Sequence, residues 1–569
     1  MTSTDNEMSR RGPLQRLATI FPLFDQFRSY GGGDLRSDVV AGLTTAVMLI
    51  PQGMAYAMLA GLPPIVGLYA STVPLVGYAL FGSSRQLAVG PVAVLSLMTA
   101  ASVGAIAETG TDAYLTYALI LALMVGVIQL LMGIARLGIV TNFLSHPVLS
   151  GFTSAAALII AFSQFDSLVG PGFHPLTMAV GVTSLLFLLA IRMWRPSFPG
   201  MFFIVVVSTA VVWALGLDAR GVEVVGDVPI GLPGLTVVPI TWEVVETLLP
   251  AAVVIALVGF MESFAVAKKI AERHGEEDQL EANRELLGLG AANIGAGLFG
   301  GYPVTGGFSR SAVNDESGAR SNLAAVITAV AVVATLLFLT DLFYFLPQAV
   351  LAAIIMTAIV GLIDAEAVKH LWAVKRDGLV ILVLTFASTL LIGIEEGLAI
   401  GIGASLLWFI IRVTRPHTAV LGRLPGTTSY RNLQRHPDAR TIPGLLLVRI
   451  DSQFFFGNVS FLKDTLVKLE KEMDEPLQAV IIDASSINQL DSSAELALHQ
   501  ILKNYQARGI ELYFAKTKGP VLDVMRASKF FQDLGEKHFT HRVHQAVEKA
   551  CQKCFGADDP YPFEEMQSD

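Results

Sequence analysis

Charge is scarce in this sequence, and so is cysteine. Only 15% of its 569 residues are Asp, Glu, Lys or Arg, against about 25% in a soluble globular chain. Two cysteines occur, Cys551 and Cys554, so no disulfide framework holds the fold. No GxxxxGKS/T loop is present, which disfavours a nucleotide-driven pump. No nucleophile–base or metal-ligand set lies in the apolar part, so an enzyme is not expected. The opening MTSTDNEMSRRGPLQRL has no short apolar core followed by a small-residue cleavage site. It reads as a cytoplasmic segment and not as a signal peptide.

What is abundant is apolar surface. Hydrophobic residues make up 53% of the chain, and mean hydropathy is +0.59. They fall in blocks of about 20 with charges at the edges, the length that spans a bilayer core. The 51 glycines suit helices that pack closely without a hydrophobic drive between them. About fourteen blocks, counted by spanning length, run from near Val39 to near Arg415. The expected fold class is therefore an α-helical polytopic membrane protein, with the transport domain at 36–415 after a cytoplasmic segment at 1–35. Residues 416–440 read as an exposed linker, because they are rich in Pro, Gly and Arg. From 441 to 555, LLLVRI, AVIID and IELYFA read as buried strands alternating with amphipathic helices, hence a compact α/β domain. The acidic tail, 556–569, reads as disordered.

Charge in the connecting loops gives orientation. Arg85, Arg136, Arg192 with Arg195, Lys268 with Lys269, Arg320, Lys369 with Lys375 and Arg376, and Arg412 with Arg415 lie in alternate loops. The loops between carry Glu108 with Asp112, Asp166, Asp341, and Glu395 with Glu396, and the one between Asp218 and Glu246 holds a single base, Arg220. Basic loops face the cytoplasm. An even number of crossings then places both termini and the α/β domain inside, and the expected location is the cell's inner (plasma) membrane.

Two interrupted segments carry the chemistry. SSRQLAVGPVAVLSLM and GYPVTGGFSRSAVN each hold Gly and Pro, which break a helix, and run on into a helix whose first-turn N–H groups point outward. Two such half-helices meeting at the midplane concentrate positive dipole ends on one spot and make an anion site. The competing reading gives the glycines to helix packing and the prolines to kinks. Arg310 follows Ser309 and precedes Ser311 in the second segment. A guanidinium in an apolar region costs at least ~2.5 kcal/mol and is kept for function, and its fork suits sulfate or carboxylate oxygens. A structural ion pair is its alternative role. Glu262, in ALVGFMESFAVAKK, is the main intramembrane acid; it pairs with Arg310, or it binds and releases a proton or Na⁺ during the cycle. Gln52 and Tyr56 share one helix face in PQGMAYAML and add neutral donors, although Tyr56 equally suits core packing.

The pattern resembles the SulP anion transporter family, which comprises the sulfate permeases and solute carrier family 26 with prestin. PIVGLYASTVPLVGYALFGSSR, from Pro64 to Arg85, looks like that family's signature. It departs at Val66, where an aromatic is usual, and at Gly77. GGFSRSAVN, from Gly306 to Asn314, is similar to the family's second half-helix opening. The resemblance implies a seven-plus-seven inverted repeat like that of the uracil permeases, with a core domain moving against a gate domain. It places the anion on Gln52, Tyr56, Val92, Ser309 and Arg310, with Ser311 beside them. The coupling acid falls on Glu262, where sodium-coupled bicarbonate members carry Asp.

The C-terminal part resembles a STAS domain, with AVIIDASSINQLDSSAELAL matching its centre. In bacterial anti-sigma-factor antagonists the DSSG at this point is phosphorylated. Here Asp491, Ser492, Ser493 and Ala494 stand, so the Gly is lost. Regulation at Asp491 and Ser492 competes with plain helix capping, and capping is the preferred reading. His538, His541, His544, Cys551 and Cys554 recur at helical spacing, but no second ligand shell accompanies them and no metal is expected. Taken together, the sequence predicts a proton-coupled symporter of sulfate or a similar small anion, dicarboxylate and bicarbonate remaining open. An anion exchanger, or a channel or motor of the same architecture, is the alternative. The expected partners are the anion, a proton sooner than sodium, the lipid bilayer, a second copy in a homodimer, and a cytoplasmic protein at the STAS domain. Neither a cofactor nor a nucleic acid is expected.

Overall fold

Segments without water must satisfy their backbone internally, and apolar runs of this length do so as helices. The computed structural model describes residues 23, 26, 30–142, 145–195, 198–374 and 376–556. Most of the 1–35 segment, Lys375 of the basic-loop pattern and most of the 556–569 tail lie outside them. The chain divides into two compact units, one ending at Ser405 and the other starting at Leu406.

The first unit is helical. Its elements are α1 (Gly32–Leu59), α2 (Pro64–Tyr69), α3 (Val73–Phe81), β1 (Val89–Gly90), α4 (Ala93–Gly104), α5 (Asp112–Ile134), α6 (His146–Ser163), α7 (Phe165–Val169), α8 (Pro175–Trp194) and α9 (Gly200–Leu215). Then come α10 (Trp242–His274), α11 (Ala282–Leu298), β2 (Thr305–Gly306), α12 (Phe308–Glu316), α13 (Leu323–Phe338), α14 (Gln348–Ile359), α15 (Ala365–Val374), α16 (Arg376–Leu391) and α17 (Ile394–Thr414). Among the described residues, seven helical stretches are long and apolar enough to cross a membrane, and four apolar helices are shorter. The unequal lengths have a cause: Gly-Pro and Pro breaks split what would otherwise be continuous spans, as between α2 and α3 and before α4.

Glycine works here by close approach. A Cβ at Gly67 would lie 1.9 Å from the Gly53 carbonyl oxygen, so α1 and α2 touch backbone to backbone. The pair α5 and α11 repeats the device, since Cβ atoms at Gly126 and Gly290 would meet backbone nitrogens at 2.6 and 2.8 Å. Outward faces are apolar, with Trp213, Phe338 and Leu391 exposed, as surfaces meant for lipid are.

The second unit is an α/β sheet in the order β4-β3-β5-β6-β7-β8. Its strands are β3 (Thr418–Arg423), β4 (Tyr430–Asn432), β5 (Leu445–Ile450), β6 (Ala479–Asp483), β7 (Glu511–Ala515) and β8 (Phe539–Thr540). Strands β5 to β8 are parallel, and β3 is antiparallel to β4 and β5. Side chains alternate between faces as the pleat requires. Val448, Ile482 and Phe514 pack with helices α18 (Val459–Lys471), α19 (Ser492–Ala507), α20 (Gly519–Ala527) and α21 (Phe530–Leu534). Leu447, Ile481 and Tyr513 face α22 (Val543–Phe555). The expected linker at 416–440 differs from the structure, because it supplies β3 and β4. The short apolar stretch TAVLG, flanked by Pro and Gly, gains its strand identity only by pairing with β5, which no local signal announces.

Gly67→Val should force α1 and α2 apart at a cost of about 1–3 kcal/mol. A lowered thermal midpoint in detergent checks this, and an unchanged midpoint refutes the backbone contact.

Candidate functional site

The two broken segments meet. Strand β1 pairs antiparallel with β2, Val89 opposite Gly306 and Gly90 opposite Thr305, and Gly307 N donates to Ala88 O at 3.1 Å. Val92 and Gly307 are the N-caps of α4 and α12, and neither has a side-chain cap. Each half-helix therefore presents first-turn N–H groups without intrahelical partners, at the positive end of its dipole.

Arg310 lies in the first turn of α12 and is 1% exposed. Its guanidinium folds back over the cap, so that a Cβ at Gly307 would be 2.8 Å from Nη2, and one at Gly90 3.4 Å from it. Two glycines thus leave room for one large cation. Nη1 donates to Gln52 Oε1 at 3.3 Å, while Nε and Nη2 are buried without a partner among the described residues. Such donors are costly unless something accepts from them.

Several neighbouring polar groups are bonded to one another. Thr305 Oγ1 donates to Gly259 O at 2.5 Å, so Ser263 Oγ donates to Thr305 Oγ1 at 2.6 Å and accepts from Gly306 N at 2.7 Å. This chain fastens α10 to β2 one residue from Glu262. Asn293 of α11 grips Val304 on both sides, accepting from its N–H at 2.8 Å and donating to its carbonyl at 3.0 Å. It also donates to Gln129 Oε1 at 2.9 Å, and Gln129 Nε2 donates to Ala256 O at 3.1 Å. Ser96 donates to Val92 O at 2.8 Å, so Tyr302 donates to Ser96 Oγ at 2.9 Å, tying the approach to β2 to the first turn of α4.

Comparison with known proteins gives the family. A sulfate permease family model matches residues 35–172 and 171–385, and a STAS domain model matches residues 436–550. The chloroplastic sulfate transporter 4.1 of Arabidopsis thaliana is 38% identical over 570 residues, covering 94% of this chain and 83% of its own length. A probable sulfate transporter of Mycobacterium tuberculosis (strain CDC 1551 / Oshkosh) is 35% identical, covering 92% of this chain and 96% of its own. The chain belongs to the sulfate permease family. That family comprises multi-pass membrane transporters of anions and not enzymes. In fold it matches the murine solute carrier 26 family member A9 anion transporter, with TM-score 0.85 at 23% identity over 96% of this chain and 97% of that one. The transmembrane domain of a cyanobacterial bicarbonate transporter, BicA, matches with TM-score 0.56 at 23% identity, over 66% of this chain and 98% of that one.

Within this permease-family chain, the residues singled out by sequence take distinct positions. Gln52 is buried and bonded to Arg310, and its Nε2 contacts Met201 Sδ at 3.2 Å. Tyr56 is buried one turn further on, and Val92 is buried at its cap. Ser309 is exposed. Ser311 is buried and accepts from Ala88 N at 2.9 Å, holding α12 to the strand before α4. Glu262 is half-buried and makes no direct ion pair or hydrogen bond among the described residues, although its charge and that of Arg310 act on each other through space. In the second unit, Asp491 is the N-cap of α19. Its Oδ1 accepts from Ala494 N and its Oδ2 from Phe456 N, both at 2.8 Å, while Ser492 beside it is exposed. Of the terminal His and Cys residues, His538 bonds Glu511, His544 bonds Tyr430, and Cys551 is packed in the core.

Sequence reasoning missed Ser263, Thr305, Tyr302, Asn293 and Gln129. Their signal was present: polar side chains inside apolar helices or next to a helix break mark functional surroundings in membranes. Asn293→Leu would strand the Val304 backbone and Gln129 Oε1 at a cost of about 1–3 kcal/mol for each group. We expect a lower thermal midpoint in detergent, and an unaltered one would show that the clamp does not hold β2.

Proposed function

We propose that this chain is a secondary active transporter of a small divalent oxyanion, sulfate first, by proton symport. The observation that carries it is Arg310, a fully buried cation whose Nε and Nη2 have no partner among the described residues, at the junction of two helix N-termini without side-chain caps. Charge bookkeeping favours a dianion. Each N-terminus contributes about half a positive charge, which with the guanidinium gives about +2. Ionised Glu262 reduces that to about +1, and a proton on Glu262 restores it. A dianion and a proton therefore each favour the other's binding, and that mutual dependence is symport. The curated relatives named as sulfate transporters support the substrate reading. Bicarbonate and dicarboxylate fit less well on charge or size but use the same donors.

In this reading Gln52, Tyr56, Val92, Ser309 and Arg310 line the anion's place, with Ser311 fixing the half-helix behind them. The network joining α1, α4, α10, α11 and α12 makes them one body, which moves elevator-fashion against α6, α8, α9 and α14 within a seven-plus-seven repeat. The transport domain spans 36–415 and the STAS domain 441–555. The chain works as a homodimer in the inner (plasma) membrane with both termini cytoplasmic, and the STAS domain recruits a cytoplasmic protein. An exchanger or channel would share this architecture but would not accumulate anion on a proton gradient.

Arg310→Ala should abolish measurable sulfate binding in calorimetry while leaving thermal stability within a few degrees of wild type. Wild-type affinity would remove Arg310 from the site. Glu262→Gln fixes a neutral side chain, and should keep sulfate exchange in liposomes while losing uptake driven by an inward proton gradient. If the Gln variant still accumulates sulfate on a proton gradient alone, Glu262 is not the coupling group.

A further inference from the structure

In the second unit, strands β3 and β4 bring His417 and Asn432 beside the carboxyl end of β5. A pocket of about 240 Å³ lies there, lined by His417, Asn432, Arg435, Arg449 and Asp451. Its one acid is already fully engaged. Asp451 Oδ1 accepts from Arg449 Nε at 2.7 Å and from Ser486 Oγ at 3.1 Å, and Oδ2 accepts from Arg449 Nη2 and His417 Nδ1, each at 3.1 Å. Burial alone would raise the Asp451 carboxyl, but these bonds outweigh it and hold the group below the usual carboxylate range. Arg449 thus neutralises Asp451, and its Nη1 has no partner among the described residues.

The remaining lining consists of donors. Asn432 is 8% exposed, and its Oδ1 accepts from Gln434 N at 2.9 Å, which assigns the amide and leaves Nδ2 to the pocket. Arg435 is exposed and its side chain has no partner among the described residues. We propose that this pocket binds a tetrahedral oxyanion, a sulfate ion or a phosphate group, through Arg435, Asn432 Nδ2 and Arg449 Nη1. Charge-assisted donors from two guanidinium groups and a buried amide match three oxygens of such an ion. The volume falls short of the ~300–1,000 Å³ of sites for larger organic ligands, so the site selects a single oxyanion group.

The test is calorimetric titration of the full chain in detergent with sodium sulfate and, separately, sodium phosphate, against sodium chloride as the ionic-strength control. Arg435→Gln and the isosteric Asn432→Asp should each weaken one site per chain by at least about tenfold, a change of about 1.4 kcal/mol. The loss should be the same in Arg310-intact protein and in an Arg310→Ala background, which separates this site from the membrane one. Binding of sulfate alone makes the pocket a sensor of that ion, and binding of phosphate as well makes it a phosphate-group site. No saturable binding of either anion, or isotherms that neither substitution changes, overturns the proposal.

Discussion

A guanidinium buried among apolar helices must be compensated, and the first unit is arranged around that requirement. Arg310 receives one acceptor, Gln52, and its remaining donors face the junction of the half-helices. Nothing about α12 alone would keep it there. Pairing of β1 with β2 fixes the junction, Ser311 pins α12 to the segment before β1, and Asn314 donates to Gln86 O at 3.0 Å further along the same pair of chains. At the far end Asp315 is held by Arg273 at 2.9 Å and His274 at 2.5 Å from the end of α10. The half-helix with the cation and the long helix with Glu262 are thus tied at both ends.

Glycine makes that junction physically admissible. A side chain at Gly307 would occupy the space of the guanidinium itself, and one at Gly306 would lie 2.6 Å from Leu87 Cδ1 and 2.9 Å from Ser263 Oγ. The Gly-Gly pair is therefore demanded by different neighbours, the Arg310 guanidinium at Gly307 and the Leu87 and Ser263 side chains at Gly306. Composition predicted glycine for helix packing, and Gly67, Gly126 and Gly290 serve it. At the site the same residue type makes room for a cation.

Local chemistry was legible in the sequence, and long-range pairing was not. Gly-Pro breaks, a lone Arg after a broken helix, and apolar alternation in AVIID each act on neighbouring residues, so they can be read from a short window. Asn293 with Gln129, or Ser263 with Thr305, gain meaning only when residues 164 or 42 positions apart meet. β3 was hidden for the same reason, its partner β5 lying beyond a turn-rich stretch. Asp491 shows the converse: its capping of α19 was readable from DSSA, whereas its second bond, to Phe456 N, needed the fold.

The buried acids give the sharpest contrast. Sequence marks Glu262 as the main acid of the spans, yet Asp38, Glu285 and Asp315 are more deeply buried. Asp38 accepts from Tyr30, from Ser321 Oγ and from the N–H groups of Arg320 and Ser321. Glu285 accepts from Tyr78, from Ser83 N and Oγ and from Ser84 N. Asp315 is held by its two bases. Their oxygens are committed to donors, so each is a tie between elements and any change of state would break several bonds at once. Glu262 alone of the four has no bonded donor among the described residues, and it sits on a backbone already fixed by Ser263. Its carboxylate is therefore not one of the ties that hold the scaffold together. What separates Glu262 from these three acids is therefore its carboxylate oxygens, free of bonded donors among the described residues, which burial and sequence context do not reveal.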